Sequence, residues 1–90
     1  MKISFDPEKR DRTLAERGLD FADAGAVFEG TSMTVTDDRH DYGESRYITI
    51  GRLHGRMMVV IWTPRGDSRR IISIRKANAR EQELYNPRLD

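Results

Sequence analysis

Arginine is concentrated in the middle of this chain. Residues 46–76 carry eight basic side chains, seven of them arginine, and a single acid, Asp67, which gives this block a net charge of +7. Residues 1–45 carry a net charge of −5 and residues 77–90 a net charge of −1. The planar guanidinium group pairs with two phosphate oxygens and stays charged at any physiological pH. The block therefore predicts a surface that binds a polyanion, and the alternative is a solvated face that only aids solubility.

Two of these arginines, Arg65 and Arg75, are the candidate catalytic cations. Strand alternation predicts Ile72 and Ile74 on the core face of the last strand and Arg75 on the other face. Arg65 follows the neighbouring apolar strand, so we expect it to converge with Arg75 on one patch. The alternative for Arg75 is an ordinary exposed arginine of the sheet. The candidate RNA-binding residues around this patch are Arg46, Arg56, Arg70, Ser73 and Lys76.

Cleavage of RNA places modest demands on a small protein, because the nucleophile, the ribose 2′-OH, is already part of the substrate. The protein must accept the proton of this hydroxyl, stabilise the charge that develops on phosphorus, and protonate the leaving 5′-oxygen. Arginine suits the second task. The candidates for proton transfer are His40, Glu44, Glu83 and Tyr85. His40 has two other interpretations, a solvated loop residue or a metal ligand beside the nearby acids.

Several classes of site are disfavoured by what the sequence lacks. The chain has no cysteine, which excludes disulfides, thiolate metal sites and a cysteine nucleophile. The second histidine, His54, lies in a distant turn, and no metal-ligand spacing recurs. The seven glycines are scattered and form no phosphate-binding loop. A Ser-His-Asp hydrolase needs an oxyanion hole and a shaped pocket, which a chain of this size seldom supplies. We therefore expect no metal and no cofactor.

The length of 90 residues predicts a single domain, 1–90, with a thin margin of stability. The longest apolar run, Met57 to Trp62, is far shorter than the roughly 20 residues of a membrane-spanning helix. The N-terminus passes directly into charged residues and has no apolar segment typical of a signal peptide. These features predict a cytoplasmic protein with no membrane partner.

The elements that must position these residues follow from periodicity and capping signals. A short strand is predicted at Lys2–Phe5, then a helix at Glu8–Arg17, with Asp6-Pro7 at its start, Gly18 at its end and Leu14 as its apolar anchor. The later predictions are a helix at 21–28, strands at 33–36, 45–51, 57–63 and 70–76, and a helix at 77–85 that Asn86-Pro87 ends. This order predicts an α+β fold, an antiparallel sheet with two N-terminal helices and one C-terminal helix.

An ordered series of short motifs resembles the BrnT toxins over roughly residues 3–85. The first motifs are Phe5-Asp6-Pro7-Glu8-Lys9, Gly18-Leu19-Asp20-Phe21 and Ala26-Val27-Phe28. The middle ones are Asp38-Arg39-His40, Tyr42-Gly43-Glu44 and Arg46-Tyr47, followed by Gly51 and Arg56. The last ones are Val59-Val60, Thr63, Arg65, Arg70-Ile71-Ile72-Ser73, Arg75-Lys76-Ala77, Glu83 and Tyr85. No single motif is specific, but their order is.

The resemblance implies a RelE-like fold, ribonuclease activity and a BrnA-type antitoxin whose DNA-binding part is ribbon-helix-helix. It also implies that the toxin–antitoxin complex represses its own operon, so that operator DNA is reached through the antitoxin. One motif departs from the family pattern: Glu16-Arg17-Gly18 stands where Lys-His-Gly is usual, and Thr13 stands where the first helix usually has asparagine.

The leading hypothesis is therefore a metal-independent endoribonuclease toxin that cleaves RNA, inhibits translation and growth, and is neutralised by its antitoxin. The alternative is a non-catalytic RNA- or partner-binding module with the same fold. A DNA-binding regulator is disfavoured, because no predicted helix is rich in residues that read bases.

Overall fold

The computed structural model describes residues 2–89, so Met1 and Asp90, the two ends of the predicted single domain, lie outside the described residues. The first elements in chain order are β1 (Lys2–Ser4), α1 (Pro7–Arg17), a 3₁₀ turn (Phe21–Asp23), α2 (Ala24–Glu29) and β2 (Ser32–Thr36). The remaining elements are β3 (Tyr47–Leu53), β4 (Arg56–Arg65), β5 (Ser68–Lys76) and α3 (Ala79–Leu89). The predicted α+β class is confirmed, and the predicted second helix is divided into the 3₁₀ turn and α2. No helix within residues 2–89 has the length and apolar character needed to cross a membrane.

The five strands form one mixed sheet in the order β1-β5-β4-β3-β2. Three of the four strand pairs are antiparallel, but β1 runs parallel to β5, with Lys2 opposite Ser68 and Ser4 opposite Arg70. The expectation of a wholly antiparallel sheet is therefore wrong. No hairpin joins β1 to β5, so connectivity does not impose an antiparallel direction on this pair.

A β-bulge changes the alternation of side chains along β5. Ile61 lies opposite Ser73 while Trp62 lies opposite Ile71, so Ile72 is an extra residue in the register. As a result Ile71 and Ile74 are the buried pair of this strand, and the prediction that Ile72 joins Ile74 in the core is wrong. The residues beyond the bulge keep the predicted alternation.

The sheet has an apolar core on each face. On one face, hereafter the α2 face, Phe21, Ala24 and Val27 pack against residues of β3, β4 and β5. The backbone of α2 approaches β3 closely at Gly51, where an added Cβ would lie 3.0 Å from Val27 Cγ1. On the other face, hereafter the α3 face, Leu89 belongs to a second cluster with residues of β3 and β4. The helices thus cover the sheet from both sides.

The ends of α1 are capped as the sequence predicts. The Asp6 carboxylate accepts a hydrogen bond from the Glu8 N–H at 2.9 Å, and Gly18 closes the helix in the left-handed region at φ 69°. Leu14 is 40 % exposed and no residue of α1 is buried, so the predicted apolar anchor is wrong. Polar contacts attach the helix instead. The Arg10 guanidinium pairs with the Asp20 carboxylate at 2.7 Å, and this pairing lowers the pKa of Asp20 to about 2.

Helix α3 starts later and ends later than predicted. Asn78 and Glu81 form a capping box, in which each side chain accepts a hydrogen bond from the backbone N–H of the other, at 2.8 and 2.9 Å. Pro87 does not end the helix, which continues to Leu89. Burial of Leu89 against the sheet offsets the one helical hydrogen bond that the proline removes. Asn86, predicted as part of the stop signal, accepts a hydrogen bond from Arg52 at 2.8 Å.

Candidate functional site

The arginines of residues 46–76 are divided between the two faces of the sheet. On the α3 face, the Arg75 guanidinium contacts the carboxylate of Glu81 in α3. On the α2 face, the Arg69 guanidinium lies over the rings of Phe28 and Trp62, at 4.4 and 4.6 Å from their centroids. The charge concentrated in the sequence therefore forms two separate surfaces rather than one.

Arg75 is held by a two-point ion pair on the α3 face. Its Nη1 and Nη2 donate to Oε1 and Oε2 of Glu81 at 2.8 and 2.9 Å. This hydrogen bonding lowers the pKa of Glu81 to about 2 and raises the pKa of Arg75. The planar guanidinium has five N–H donors, so Arg75 keeps donors beyond the two that Glu81 accepts. Glu81 thus orients this cation without using all of its hydrogen-bonding capacity.

The sheet register separates Arg65 from Arg75. Arg65 lies opposite Ser68 at one end of the β4–β5 hairpin, whereas Arg75 lies opposite Val59. Val59 and Arg65 are six residues apart on β4, a span of about 20 Å at the usual rise per strand residue. The expected convergence of Arg65 and Arg75 on one patch is therefore absent from this register.

The loop between β2 and β3, residues 37–46, carries several of the predicted residues. Glu44 lies between two cations, with Oε2 at 3.0 Å from Arg46 Nε and Oε1 at 3.4 Å from Arg65 Nη2. Arg46, followed by Arg65, lowers the pKa of Glu44, so this carboxylate is ionised at neutral pH and is a weaker base than an unpaired glutamate. Arg46 also lies 4.0 Å from the centroid of the Tyr42 ring, and His40 packs edge-on against the same ring at 5.7 Å.

Arg39 is a site candidate that the sequence analysis missed. The buried Asp37 carboxylate accepts from Arg39 Nε at 2.7 Å and from Arg39 Nη2 at 2.9 Å, and Tyr42 donates to the same carboxylate at 3.4 Å. Glu81 raises the pKa of Arg75, whereas the charge of Arg39 acts on it in the opposite direction. The two guanidinium groups are therefore within electrostatic range of each other. The sequence contains a signal for this ion pair. Asp37 directly follows a predicted strand and precedes Arg39 by two residues, so the two side chains are close along the chain.

The other predicted residues are more dispersed. Ser73 lies opposite Ile61 and Arg70 opposite Thr63, both on the strand that carries Arg75. Tyr85 packs against the α3-side core, and Glu83 lines a shallow depression on α3 with Arg80 and Leu84. Arg56 begins β4, and Lys76 lies opposite Met58, a residue of the α2-side core. The sheet register therefore places Arg56 and Lys76 on the face opposite Arg75.

Trp62 belongs to the core on the α2 face. Its indole N–H donates to Thr49 Oγ1 at 2.8 Å, and Thr49 is in turn hydrogen-bonded to Thr34 at 2.8 Å. The indole is 8 % exposed and packs against Phe28 and Tyr47. Within residues 2–89, no group of three or more histidine, aspartate and glutamate side chains is placed to hold a metal ion.

Comparison with known proteins identifies the family. The family model of BrnT, the ribonuclease toxin of type II toxin-antitoxin systems, matches residues 5–81. No curated protein matches the chain. The matched region runs from the end of β1 to the first turn of α3, and it includes the loop that carries Arg39 as well as both partners of the Arg75–Glu81 ion pair. Because this match covers well over half of the chain, the protein belongs to the BrnT family of ribonuclease toxins.

Proposed function

We propose that this chain is an endoribonuclease that binds RNA on its α3 face and cleaves it beside Arg75 and Arg39. The observation that carries the proposal is that two guanidinium groups, each oriented by its own carboxylate, lie within electrostatic range of each other. Cations fixed in advance stabilise developing charge without reorganising at the moment of reaction.

The reaction follows from the chemistry of the substrate. The ribose 2′-oxygen attacks the adjacent phosphorus as its proton passes to a base, and the bond to the 5′-oxygen breaks as that oxygen receives a proton. The products are a 2′,3′-cyclic phosphate and a free 5′-hydroxyl. Arg75 and Arg39 stabilise the negative charge on the phosphorane oxygens, while Arg46, Arg65 and Arg70 bind neighbouring phosphates.

Proton transfer is assigned to residues of the β2–β3 loop and of α3. Glu44, an ionised carboxylate, is the candidate that accepts the proton of the 2′-hydroxyl, and His40, on the same loop, is the candidate that protonates the leaving oxygen. Tyr85, one helical turn beyond Glu81, is the further candidate on α3. The arginines supply the positive charge that a metal ion would otherwise bring, so the proposed reaction is metal-independent.

The biological role extends the family assignment. We propose that RNA cleavage by this toxin inhibits translation and growth, and that a BrnA-type antitoxin with a ribbon-helix-helix part neutralises it. Operator DNA is then bound by the complex through the antitoxin. Because the substrate is cellular RNA, the proposed place of action is the cytoplasm.

The alternative, a non-catalytic RNA- or partner-binding module, is favoured by one observation. Arg17 stands where the resembling toxins carry histidine, and its Nη1 donates to the carbonyl of Ile74 at 3.0 Å. A side chain committed to a backbone carbonyl has a structural role at this position. A protein of this kind would bind RNA and leave it intact.

The decisive experiment uses the purified chain and a short RNA together with its all-2′-deoxy counterpart. We expect cleavage of the RNA only, with 2′,3′-cyclic phosphate and 5′-hydroxyl ends identified by mass spectrometry. Cleavage of the 2′-deoxy strand, or products with 5′-phosphate ends, would contradict the mechanism. Binding of both strands without cleavage of either would support the non-catalytic alternative.

A further inference from the structure

Arg69 is held on the α2 face by aromatic rings and has no acidic partner among residues 2–89. Its guanidinium carbon lies 4.4 Å from the centroid of Phe28 and 4.6 Å from that of Trp62. In contrast, Arg75 and Arg39 are each paired with a carboxylate. Contact with two rings restricts the rotamers of the Arg69 side chain, so little conformational entropy remains to be lost when an anion binds.

Two cavities flank Arg69, and Arg69 lines both of them. The first has a volume of about 140 Å³ and is lined by Ile3, Gly25, Phe28, Glu29 and Arg69. The second has a volume of about 270 Å³ and is lined by Trp62, Pro64, Gly66, Asp67, Ser68 and Arg69. Gly25 keeps the first cavity open, because a Cβ at this position would lie 3.1 Å from Ile3 Cδ1. A cation between two partly apolar cavities suits a polypeptide segment as its ligand, because such a segment carries charged and apolar side chains at close spacing.

The charges around Arg69 disfavour RNA as the occupant. Glu29 lines the first cavity and Asp67 the second, so a run of phosphates that followed the two cavities would meet a carboxylate on each side. Lys2 pairs with Asp67 across 3.1 Å, and the single charges of Arg69 and Glu29 are opposite in sign although the two side chains form no ion pair, so these four charges sum to zero. This surface is therefore near neutrality, whereas the α3 face carries the cations proposed to bind RNA. A peptide with one carboxylate and apolar neighbours complements such a surface.

We propose that Arg69 and its two flanking cavities anchor a segment of the antitoxin in which one acidic residue lies between apolar side chains. The carboxylate of that segment pairs with Arg69, and the apolar side chains enter the cavities on either side. This proposal rests on the proposed function only in naming the antitoxin as the partner. It places the anchor on the face opposite Arg75, so binding of the antitoxin and cleavage of RNA depend on different arginines.

The test uses the full-length product of the gene adjacent to the toxin gene, together with overlapping short peptides that span it. Binding to the purified chain is measured by calorimetry and, for peptides without tryptophan, by the fluorescence of Trp62, the chain's only tryptophan. We expect the strongest peptides to contain an acidic residue between apolar ones. Arg69→Glu should weaken binding at least about 30-fold, the loss typical of a central interface residue. Arg69→Lys, which keeps the charge and loses the planar group, should give an intermediate affinity.

Arg70→Glu is the matched control, because Arg70 follows Arg69 on β5 and its side chain lies on the opposite face of the sheet. We expect it to bind the antitoxin like the wild type and to bind RNA more weakly. Gly25→Ala tests the first cavity with the cation intact, even if Arg69→Glu fails to fold, and should weaken binding several-fold.

Equal affinity of the wild type, Arg69→Glu and Gly25→Ala for the antitoxin would overturn the proposal. Loss of RNA binding in Arg69→Glu but not in Arg70→Glu would also overturn it, by identifying RNA as the occupant. These binding measurements do not require RNA cleavage, so they remain informative if the chain is not a nuclease.

Discussion

The guanidinium of Arg75 and the carboxylate of Glu81 form a bidentate ion pair, with Nη1 at 2.8 Å from Oε1 and Nη2 at 2.9 Å from Oε2. Glu81 also closes the capping box at the start of α3 with Asn78. One carboxylate therefore connects the proposed catalytic cation of β5 to the N-terminus of the helix that covers this face. Disturbance of either partner should affect both the site and the docking of the helix.

Glu81→Gln should make stability less sensitive to acid. Arg75 lowers the pKa of Glu81 to about 2 from the ordinary 4.5, so this contribution to stability is complete above pH 4.5 and is lost as the pH falls towards 2. The shift corresponds to at most about 3 kcal/mol, and partial exposure of the pair reduces our expectation to about 1–2 kcal/mol. Urea unfolding of both proteins at several pH values between 2 and 6 provides the measurement. A constant difference in unfolding free energy across this range would show that the ion pair contributes nothing.

Arg75→Ala should abolish most RNA cleavage while the protein stays folded. Loss of one charge-stabilising donor typically raises the barrier by about 3–4 kcal/mol, which is a 10²–10³-fold loss in kcat/KM. Arg75→Lys should recover part of the activity, since it keeps the charge but loses the two-point geometry. Arg12→Ala, an exposed position on α1, is the control for the removal of a surface arginine. Full activity in a folded Arg75→Ala protein would refute the assigned site.

Asp37→Asn should release Arg39 from its fixed position. The Asp37 side chain is 1 % exposed and accepts two hydrogen bonds from Arg39, so we expect a loss of about 1–3 kcal/mol in unfolding free energy. We also expect a lower kcat/KM for RNA, because the proposed second cation is no longer oriented. Asp38→Asn, the exposed neighbour, serves as the matched control. Reduced stability with wild-type cleavage would assign Asp37 a purely structural role.

RNA cleavage should persist in excess EDTA. Arginines supply the positive charge at the proposed site, so chelation of divalent ions removes nothing that the reaction needs. A metal-dependent nuclease in the same buffer confirms that the chelator is effective. If cleavage by this protein stopped in EDTA and returned with magnesium, a metal ion would have to replace the arginines in the mechanism.

Local signals in the sequence predicted the elements well, because each depends on neighbouring residues. The N-cap Asp6, the C-terminal Gly18 and the apolar run of β4 are signals of this kind, and the structure confirms the caps and the strand. Helix α3 was less predictable. Its end depends on the burial of Leu89 against the sheet, a tertiary contact that outweighs the local signal of Pro87.

The arrangement of the candidate site depends on contacts that sequence patterns do not reveal. A single extra residue, Ile72, changes which side chains of β5 face the core, and alternation alone gives no sign of it. The register of β4 with β5 places Arg65 and Arg75 far apart, although both follow the predicted strands. The approach of Arg39 to Arg75 depends on how a loop folds over the sheet. Residue types therefore indicated the chemistry, whereas the spatial grouping required the structure.

The short strand β1 leaves much of one sheet edge without a strand neighbour. It pairs only with Ser68–Arg70, so the outer edge of residues 71–76 has no strand beside it within residues 2–89. An uncovered edge invites another chain to add a strand, which is a common route to aggregation. Arg17 occupies the Ile74 carbonyl on this strand and brings a positive charge beside it. We therefore expect Arg17 to disfavour the addition of a strand from a second copy of this chain at that edge.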